Sequence, residues 1–476
     1  MKYEYANISA FTTAVDRHPR VHITRDILHS MTTGDESRAL FLPVHEPFSK
    51  QLTKIWFEQG FTEAVRFATT ESFKNEILIA TARWALKLIN GLSRIHNVIY
   101  PYTLQDKRKS LSTFSQTRNW LNSPIRYIAW HPHISKLAVA TSDDSVRIYS
   151  TDSKLVPVLK SKLQKNVSCV AWRPLSASEI AIACENDILI WTVDPNSVVT
   201  RPSTANACVL RRVNHSPIIN IAWSLHGEYL ISASPSDPAL LVWDVALDQT
   251  CTLKRVGNIG NTMLSWSPTG RKLLAASTSL VFRVWECKDW TAERWNTAIG
   301  RIQSACWSPC GLILLFVTSE EPVLYSLGFQ AEASVFSSDV VATPQMASPV
   351  LDLSRIELPN GGLVGGLVQT MEWDPKGRHL AILFQDTNYI TIFMTMTTPL
   401  LQITPSCLIA GQPGEVPCTM AFQKNFTEGS CLSIAWSSGR LQHFPLIYSD
   451  LPVPVKSLTS NQTETFQSSY NRYNTY

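Results

Sequence analysis

Beyond residue 124 the chain alternates apolar and polar positions in short runs, and the runs come in a repeating set of three. The first run of each set ends on a tryptophan: IAW at Trp130, VAW at Trp172, IAW at Trp223, LSW at Trp266, ACW at Trp307 and MEW at Trp373. MAFQKN around Phe422 is a seventh, degenerate copy. A period of two over such lengths predicts half-buried β-strands. Turn residues follow at once, in HPHIS, RPLSAS, SLHGEY, SPTGRK, SPCGLI and DPKGRH. Pro, Gly, Asp and Ser there suit the backbone angles of a tight reversal. A second strand comes next (KLAVAT, EIAIAC, YLISAS, KLLAAS, LILLFV, HLAILF), and a third closes on Tyr149, Trp191, Trp243, Trp285, Tyr325 or Phe393. In the seventh set the second strand, CLSIAWSS, carries Trp436, and the third reaches Phe444.

The two aromatic ladders advance in register, mostly by roughly 40–50 residues, the interval at which each repeat is one four-stranded blade. One blade cannot bury both of its faces, so neighbours must cover them and the sheets must close into a ring. The reading is an all-β fold, a seven-bladed β-propeller over residues 121–450, with six blades as the competing count. Its structural tryptophans are Trp130, Trp172, Trp223, Trp266, Trp307 and Trp373 on first strands, and Trp191, Trp243 and Trp285 on third strands. Wider intervals mark insertions at 194–217 and 330–368, expected as surface loops.

The period changes upstream. Residues 1–47 show little patterning apart from 2–8, a candidate strand that would join the chain's two ends (residues 1–10 as a ring-closing unit). Such a strand would remove an open sheet edge. Within 11–120 the pattern is helical: Phe48, Leu52, Ile55 and Trp56 form one stripe, and Phe73, Ile77, Ala80, Trp84, Leu88 and Ile95 form a longer one. A third stretch spans 104–120. The fold therefore includes an N-terminal α-helical segment. Its aromatics Trp56, Phe73 and Trp84 are read first as packing internally on the propeller's side, with a docking anchor for a partner protein as the alternative. Residues 451–476, rich in Ser, Thr, Asn and Gln, read as a disordered polar tail.

Composition narrows the chemistry. The formal charge is +4 with pI near 8.5, and the densest basic run is Lys107-Arg108-Lys109, which reads as a solvated helix end. A nucleic-acid partner is not expected from so dispersed a charge. None of the ten cysteines forms a CxxC pair, so buried free thiols of a reducing compartment are expected, with neither disulfides nor a metal site. The N-terminus has no apolar signal core, and no apolar stretch is long enough to span a bilayer. The expectation is an intracellular chain with no membrane span of its own. The glycines of LPNGGLVGGLV lack the Lys-Ser/Thr of a phosphate loop and the spacing of a dinucleotide turn. His131 and His133 with Asp143 or Asp144 are the best catalytic candidates, but no nucleophile or ligand set accompanies them. No enzyme activity, cofactor or metal is expected.

The turn grammar resembles that of WD-repeat propellers, with departures. Trp243-Asp244 is the one third-strand ending that gives the eponymous dipeptide, the repeat-opening histidine survives as His215, and turn aspartates persist at Asp143, Asp144, Asp187, Asp237 and Asp386. The stretches IAWHPHISKLAVATSDDSVRIY, LKSKLQKNVSCVAWRPLSASEIAIACENDILIWTVDP, YLISASPSDPALLVWDV and VFRVWECKDWTAERW look closer still to the aladin family of WD-repeat nucleoporins. That resemblance implies a WD-type, non-catalytic scaffold of the nuclear pore complex. It also implies a location at the nuclear envelope, partners among other nucleoporins (in particular a transmembrane nucleoporin of the pore membrane), support of nucleocytoplasmic transport, and a role at the mitotic spindle. The chain contains no Phe-Gly dipeptide, which fits a scaffold better than a barrier-forming repeat. A WD-repeat adaptor of another intracellular complex is the alternative, and an enzyme built on a propeller the weaker one.

Overall fold

The computed structural model describes residues 107–448, apart from 152, 195–198, 254–258, 330–345, 360 and 399, together with scattered helical residues between 52 and 91. Seven antiparallel sheets follow one another along the chain. Their first strands are Ile125–Trp130, Cys169–Trp172, Asn220–Trp223, Asn261–Trp266, Ile302–Trp307, Val368–Trp373 and Pro417–Gln423. Blades 1 to 6 have four strands each; blade 7 has three among the described residues, Pro417–Gln423, Gly429–Trp436 and Leu441–Ile447. First strands of successive blades adjoin, and Pro417–Gln423 adjoins Ile125–Trp130, so the ring is closed. The seven-blade count holds and the six-blade alternative does not. Residues 2–8 and 451–476 lie outside the described residues.

The core is distributed rather than central. Seven apolar clusters sit one at each blade interface, including Ile125, Ile128 and Trp130 against Ala421, Ala435 and Leu441 where the last blade meets the first. This follows from the strand alternation, since both faces of every sheet are apolar and each is covered by a neighbour.

The repeat tryptophans do more than fill volume. The indole N–H of Trp172 donates to Ala129 O (3.1 Å), that of Trp223 to Ala171 O (3.2 Å) and that of Trp307 to Ser265 O (3.0 Å). Each acceptor is the residue just before the tryptophan of the preceding blade, so the ladder stitches first strands together. Trp130 makes its stitch across the closing seam, to Ser433 Oγ (2.9 Å). Trp373 turns inward instead, to Thr395 Oγ1 of its own blade (3.0 Å). Trp266 is half-buried and its indole nitrogen has no protein partner.

Close stitching needs small side chains before each tryptophan, and Ala129, Ala171, Ala222, Ser265, Cys306 and Ala421 supply them. The exception is Glu372, and the next blade is the one with Phe422 in place of tryptophan. Phe422 N–H donates to the Glu372 carboxylate (3.2 Å), so a side-chain acceptor stands in where no indole donor exists.

In blades 1, 3, 4, 5 and 6 the residue after the repeat aromatic caps its turn. Ser224, Ser267 and Ser308 accept backbone N–H groups through Oγ, Asp374 through its carboxylate and His131 through Nδ1. The positive φ of Gly270 and Gly311 brings each turn against its predecessor, where a Cβ would meet Leu225 or Thr269 at 3.0 Å or less.

Two expectations need correcting. The insertion at 194–217 contains blade 2's fourth strand, Ala207–Leu210, and that at 330–368 contains blade 5's fourth strand, Ser348–Asp352. It also contains a hairpin, Ile356–Glu357 with Leu363–Val364, and the glycine run is that hairpin's turn and exit. Outermost strands pack on one side only and are mostly exposed, so they lack the alternation that marked the inner ones. The cysteines are free, but Cys208, Cys251 and Cys310 are exposed rather than buried.

Candidate docking faces

The ring has two ends. At one lie the turns between second and third strands and the connections between blades, and this end is covered by the chain itself. Helix α1 (Lys107–Phe114) buries Ser110, Leu111 and Phe114 on one side, and Leu111, Phe114 and Trp120 pack with Ile219. Its Lys107 ammonium reaches Asn186 Oδ1 of blade 2 (2.8 Å). Arg301, leading into blade 5, donates to Thr113 O (3.2 Å) and lies over the Phe114 ring. Gln369 of blade 6 donates to Ser115 O (3.0 Å), and Arg118 N–H to Cys418 O of blade 7 (2.8 Å). Arg118 also donates to the carbonyls of Phe384 and Thr387. Trp120 is fully buried beneath the guanidinium of Arg126, which is ion-paired to Asp144 (2.7 Å). Burial pulls Arg126 below its ordinary pKa, partly offset by that carboxylate. Residues 107–120 thus tie together strands from opposite sides of the ring and form a lid over the axis at this end.

At the other end no described segment covers the turns between first and second strands. Leu175 is 69% exposed and sits at φ +61°, a left-handed conformation costly for a side chain of this size. Leu225 and Leu312 are exposed on the corresponding turns of blades 3 and 5. Large apolar groups held out on turns of a rigid ring are what a protein partner can grip.

The proposed catalytic constellation is not brought together. His131 and Asp143 or Asp144 flank the strand Lys136–Thr141 at opposite ends. His131 Nδ1 accepts from the backbone N–H of His133 and of Ile134 (3.1 Å each), so Nε2 carries the proton and donates to Ser176 O (2.9 Å). Burial lowers its pKa. Its role is to cap the turn.

Blade 3 holds a polar chain that residue-by-residue reading had only in pieces. Asp237 Oδ2 bonds His215 Nδ1 (2.8 Å), His215 Nε2 bonds Ser232 Oγ (2.9 Å), and Trp243 Nε1–H donates to the same Oγ (2.9 Å). His215, Asp237 and Trp243 were visible separately; Ser232, the hub, carried no signal except its place on the second strand. A parallel chain, Trp130–Ser433–His443, spans the seam.

Trp56 and Phe73 lie outside the described residues. Residues 80–88 are helical, with Ala82 buried but Trp84 67% exposed. Trp84 therefore does not pack internally as first read. An open groove of about 810 Å³ between the outer parts of blades 2 and 3 is lined by Glu179, Thr192, Asp194, Asn206 and Cys208. Glu179 there is paired to Arg173. Among the described residues no cluster of three His, Cys, Asp or Glu side chains could hold a metal, and no helix is long and apolar enough to cross a membrane.

Residues 106–447 match the family described as the Aladin seven-bladed propeller. Aladin of Arabidopsis thaliana is 30% identical over 363 residues, covering 69% of this chain and 77% of that one. A probable cytosolic Fe-S cluster assembly factor of Schizosaccharomyces pombe is 24% identical over 33% of this chain and 28% of its own length. Among solved structures, the Cps50 (Swd1) β-propeller domain of Myceliophteria thermophila aligns with a TM-score of 0.52 at 13% identity, covering 68% of this chain and 98% of that one. A chain of the Mitotic Checkpoint Complex aligns with the same score at 15% identity, covering 70% and 90%. The two structural likenesses bear on the fold alone.

Proposed function

The chain belongs to the aladin seven-bladed propeller family, a WD-type scaffold fold, and on that premise we propose that it is a non-catalytic adaptor subunit of the nuclear pore complex. It sits at the nuclear envelope by binding a transmembrane nucleoporin of the pore membrane, holds other nucleoporins, and in that way supports nucleocytoplasmic transport. The spindle role is the finer part of the same reading, with the adaptor working at the poles when the envelope is dismantled.

The observation that carries the reading is the asymmetry of the ring. One end is covered by residues 107–120, and the other presents exposed leucines, of which Leu225 and Leu312 sit on turns whose backbone is fixed by capping serines. Rigid presentation lowers the entropy lost when a partner binds. The test compares two double substitutions in the full chain, both on exposed turns. Leu175→Glu with Leu225→Glu removes envelope recruitment of the tagged protein, while Leu280→Glu with Ile299→Glu at the covered end leaves it intact. Recruitment that survives the first pair and fails with the second places docking at the other end. Normal folding with recruitment to a different compartment identifies an adaptor of another complex.

A further inference from the structure

Trp84 stands outward on a helix whose back is covered. In the helical residues 80–88, ATARWALKL, Ala, Leu, Arg and Lys all favour the helix. At about 3.6 residues per turn, Ala82, Ala85 and Leu86 fall on one side, and these are the residues withdrawn from solvent. Arg83, Trp84, Lys87 and Leu88 fall on the other and are all exposed. Trp84 and Leu88 stand one turn apart, 67% and 51% exposed, and Arg83 and Lys87 run beside them one turn apart as well. Alanines are turned in and the tryptophan is turned out, the opposite of what packing on a protein core favours.

Charge indicates what the outward side meets. No Asp or Glu stands between Glu76 and Asp106, whereas Arg83, Lys87 and Arg94 do. An indole with cations along its flank suits the boundary of an anionic bilayer. The ring enters beneath the headgroups, its N–H keeps a hydrogen bond to water or lipid oxygen, and the cations meet the negative headgroups. A protein is the poorer fit. A stable interface covers about 800 Å² on each partner around a desolvated core, and among the described residues this side offers two large apolar groups on a convex surface. A bilayer needs no shaped counterpart. Arg83 and Lys87 also interrupt the apolar sequence around them, so the segment is not one that crosses the membrane.

We propose that helix 80–88 lies on the anionic surface of a bilayer, with Trp84 and Leu88 inserted at the interface and Arg83 and Lys87 on the headgroups. This contact is additional to recruitment by a protein partner. Two apolar side chains and two cations give a weak, reversible hold, which a second attachment makes lasting.

Vesicle flotation tests it. The full chain is mixed with vesicles of phosphatidylcholine alone, or with about one-third phosphatidylserine added. It rises with the anionic vesicles, stays behind with the neutral ones, and is released as salt is raised. Arg83→Gln with Lys87→Gln weakens the partition roughly thirtyfold, and Trp84→Ser with Leu88→Ser by about tenfold or more. Lys154→Gln with Lys162→Gln removes the same charge from exposed positions on either side of the fourth strand of blade 1, and leaves binding unchanged. All three variants melt as the unmodified chain does, because the substituted side chains are exposed. A full chain that does not float, an equal loss with the Lys154 and Lys162 pair, or flotation that survives Trp84→Ser with Leu88→Ser each overturns the proposal. Envelope recruitment lost in the Trp84 and Leu88 variant, with no vesicle binding by the unmodified chain, assigns the helix to a protein partner instead. The vesicle assay contains no protein partner, so its failure leaves the docking face of the ring standing.

Discussion

Trp172 and Trp266 occupy the same place in the repeat, yet the structure treats them differently. Trp172 is buried and stitched to Ala129 O; Trp266 is only partly buried and its indole nitrogen meets no protein acceptor. Trp172→Ala is therefore expected to cost about 3–5 kcal/mol, as large-to-small core changes do, and Trp266→Ala less, in line with its smaller burial and missing hydrogen bond. Equal losses in denaturant unfolding would show that the stitch adds nothing. Glu372 makes a second residue-scale test, because burial pushes its carboxyl up to about 7. The folded state then binds a proton between about pH 4.5 and pH 7 that the unfolded chain has released. The stability this group contributes is complete below its unfolded value and is lost as pH rises through the folded one. Glu372→Gln keeps the acceptor for Phe422 N–H and cannot ionise, so the variant gains on the wild type above pH 7, by no more than about 3 kcal/mol. Parallel stability curves for the two proteins from pH 5 to pH 8 would refute the assignment. The exchange at this interface was in the sequence as Phe422 and Glu372, but nothing links two residues fifty positions apart until the ring brings their strands side by side.

At the scale of elements, inner strands were legible and outer ones were not, for a physical reason. First, second and third strands lie between two neighbours, so their aromatic endings and apolar alternation record the packing directly. Strands such as Ser348–Asp352 face solvent along most of their length and record nothing. The short helix α1 was visible as a helical stretch, but its task as a lid was not, because the groups that hold it (Asn186, Ile219, Arg301 and Gln369) are spread over four other elements. If the lid is an added layer and not part of the ring's core, Leu111→Ser with Phe114→Ser should free it alone. Amide exchange within 107–120 should then accelerate by on the order of a hundredfold, matching about 3 kcal/mol of lost burial. The first strands of blades 2 and 5 should keep their protection. Global loss of protection would mean that the lid is needed for the ring to fold.

For the molecule as a whole the question is how the ends are joined. On the axis side the seam is already made: Trp130 bonds Ser433, Arg118 N–H bonds Cys418 O, and Ile128 packs with Ala421 and Leu441. On the outer side blade 7 shows three strands among the described residues, and its third, Leu441–Ile447, is only half-buried along most of its length. An edge of that kind invites pairing with any exposed strand. The alternating residues 2–8 have the pattern to fill it, and the sequence of 451–455 does not, since Pro452 and Pro454 remove the N–H groups a ladder needs. Deleting residues 1–10 should therefore lower the thermal midpoint of the entire ring, not of blade 7 alone, because each blade is covered by its neighbours and the loss propagates around both directions. It should also raise the tendency to self-associate, measured by light scattering against protein concentration, as the freed edge seeks another strand. A truncated chain with unchanged melting and no added association would mean that the inner seam closes the propeller unaided, and residues 1–10 would then be available for a partner.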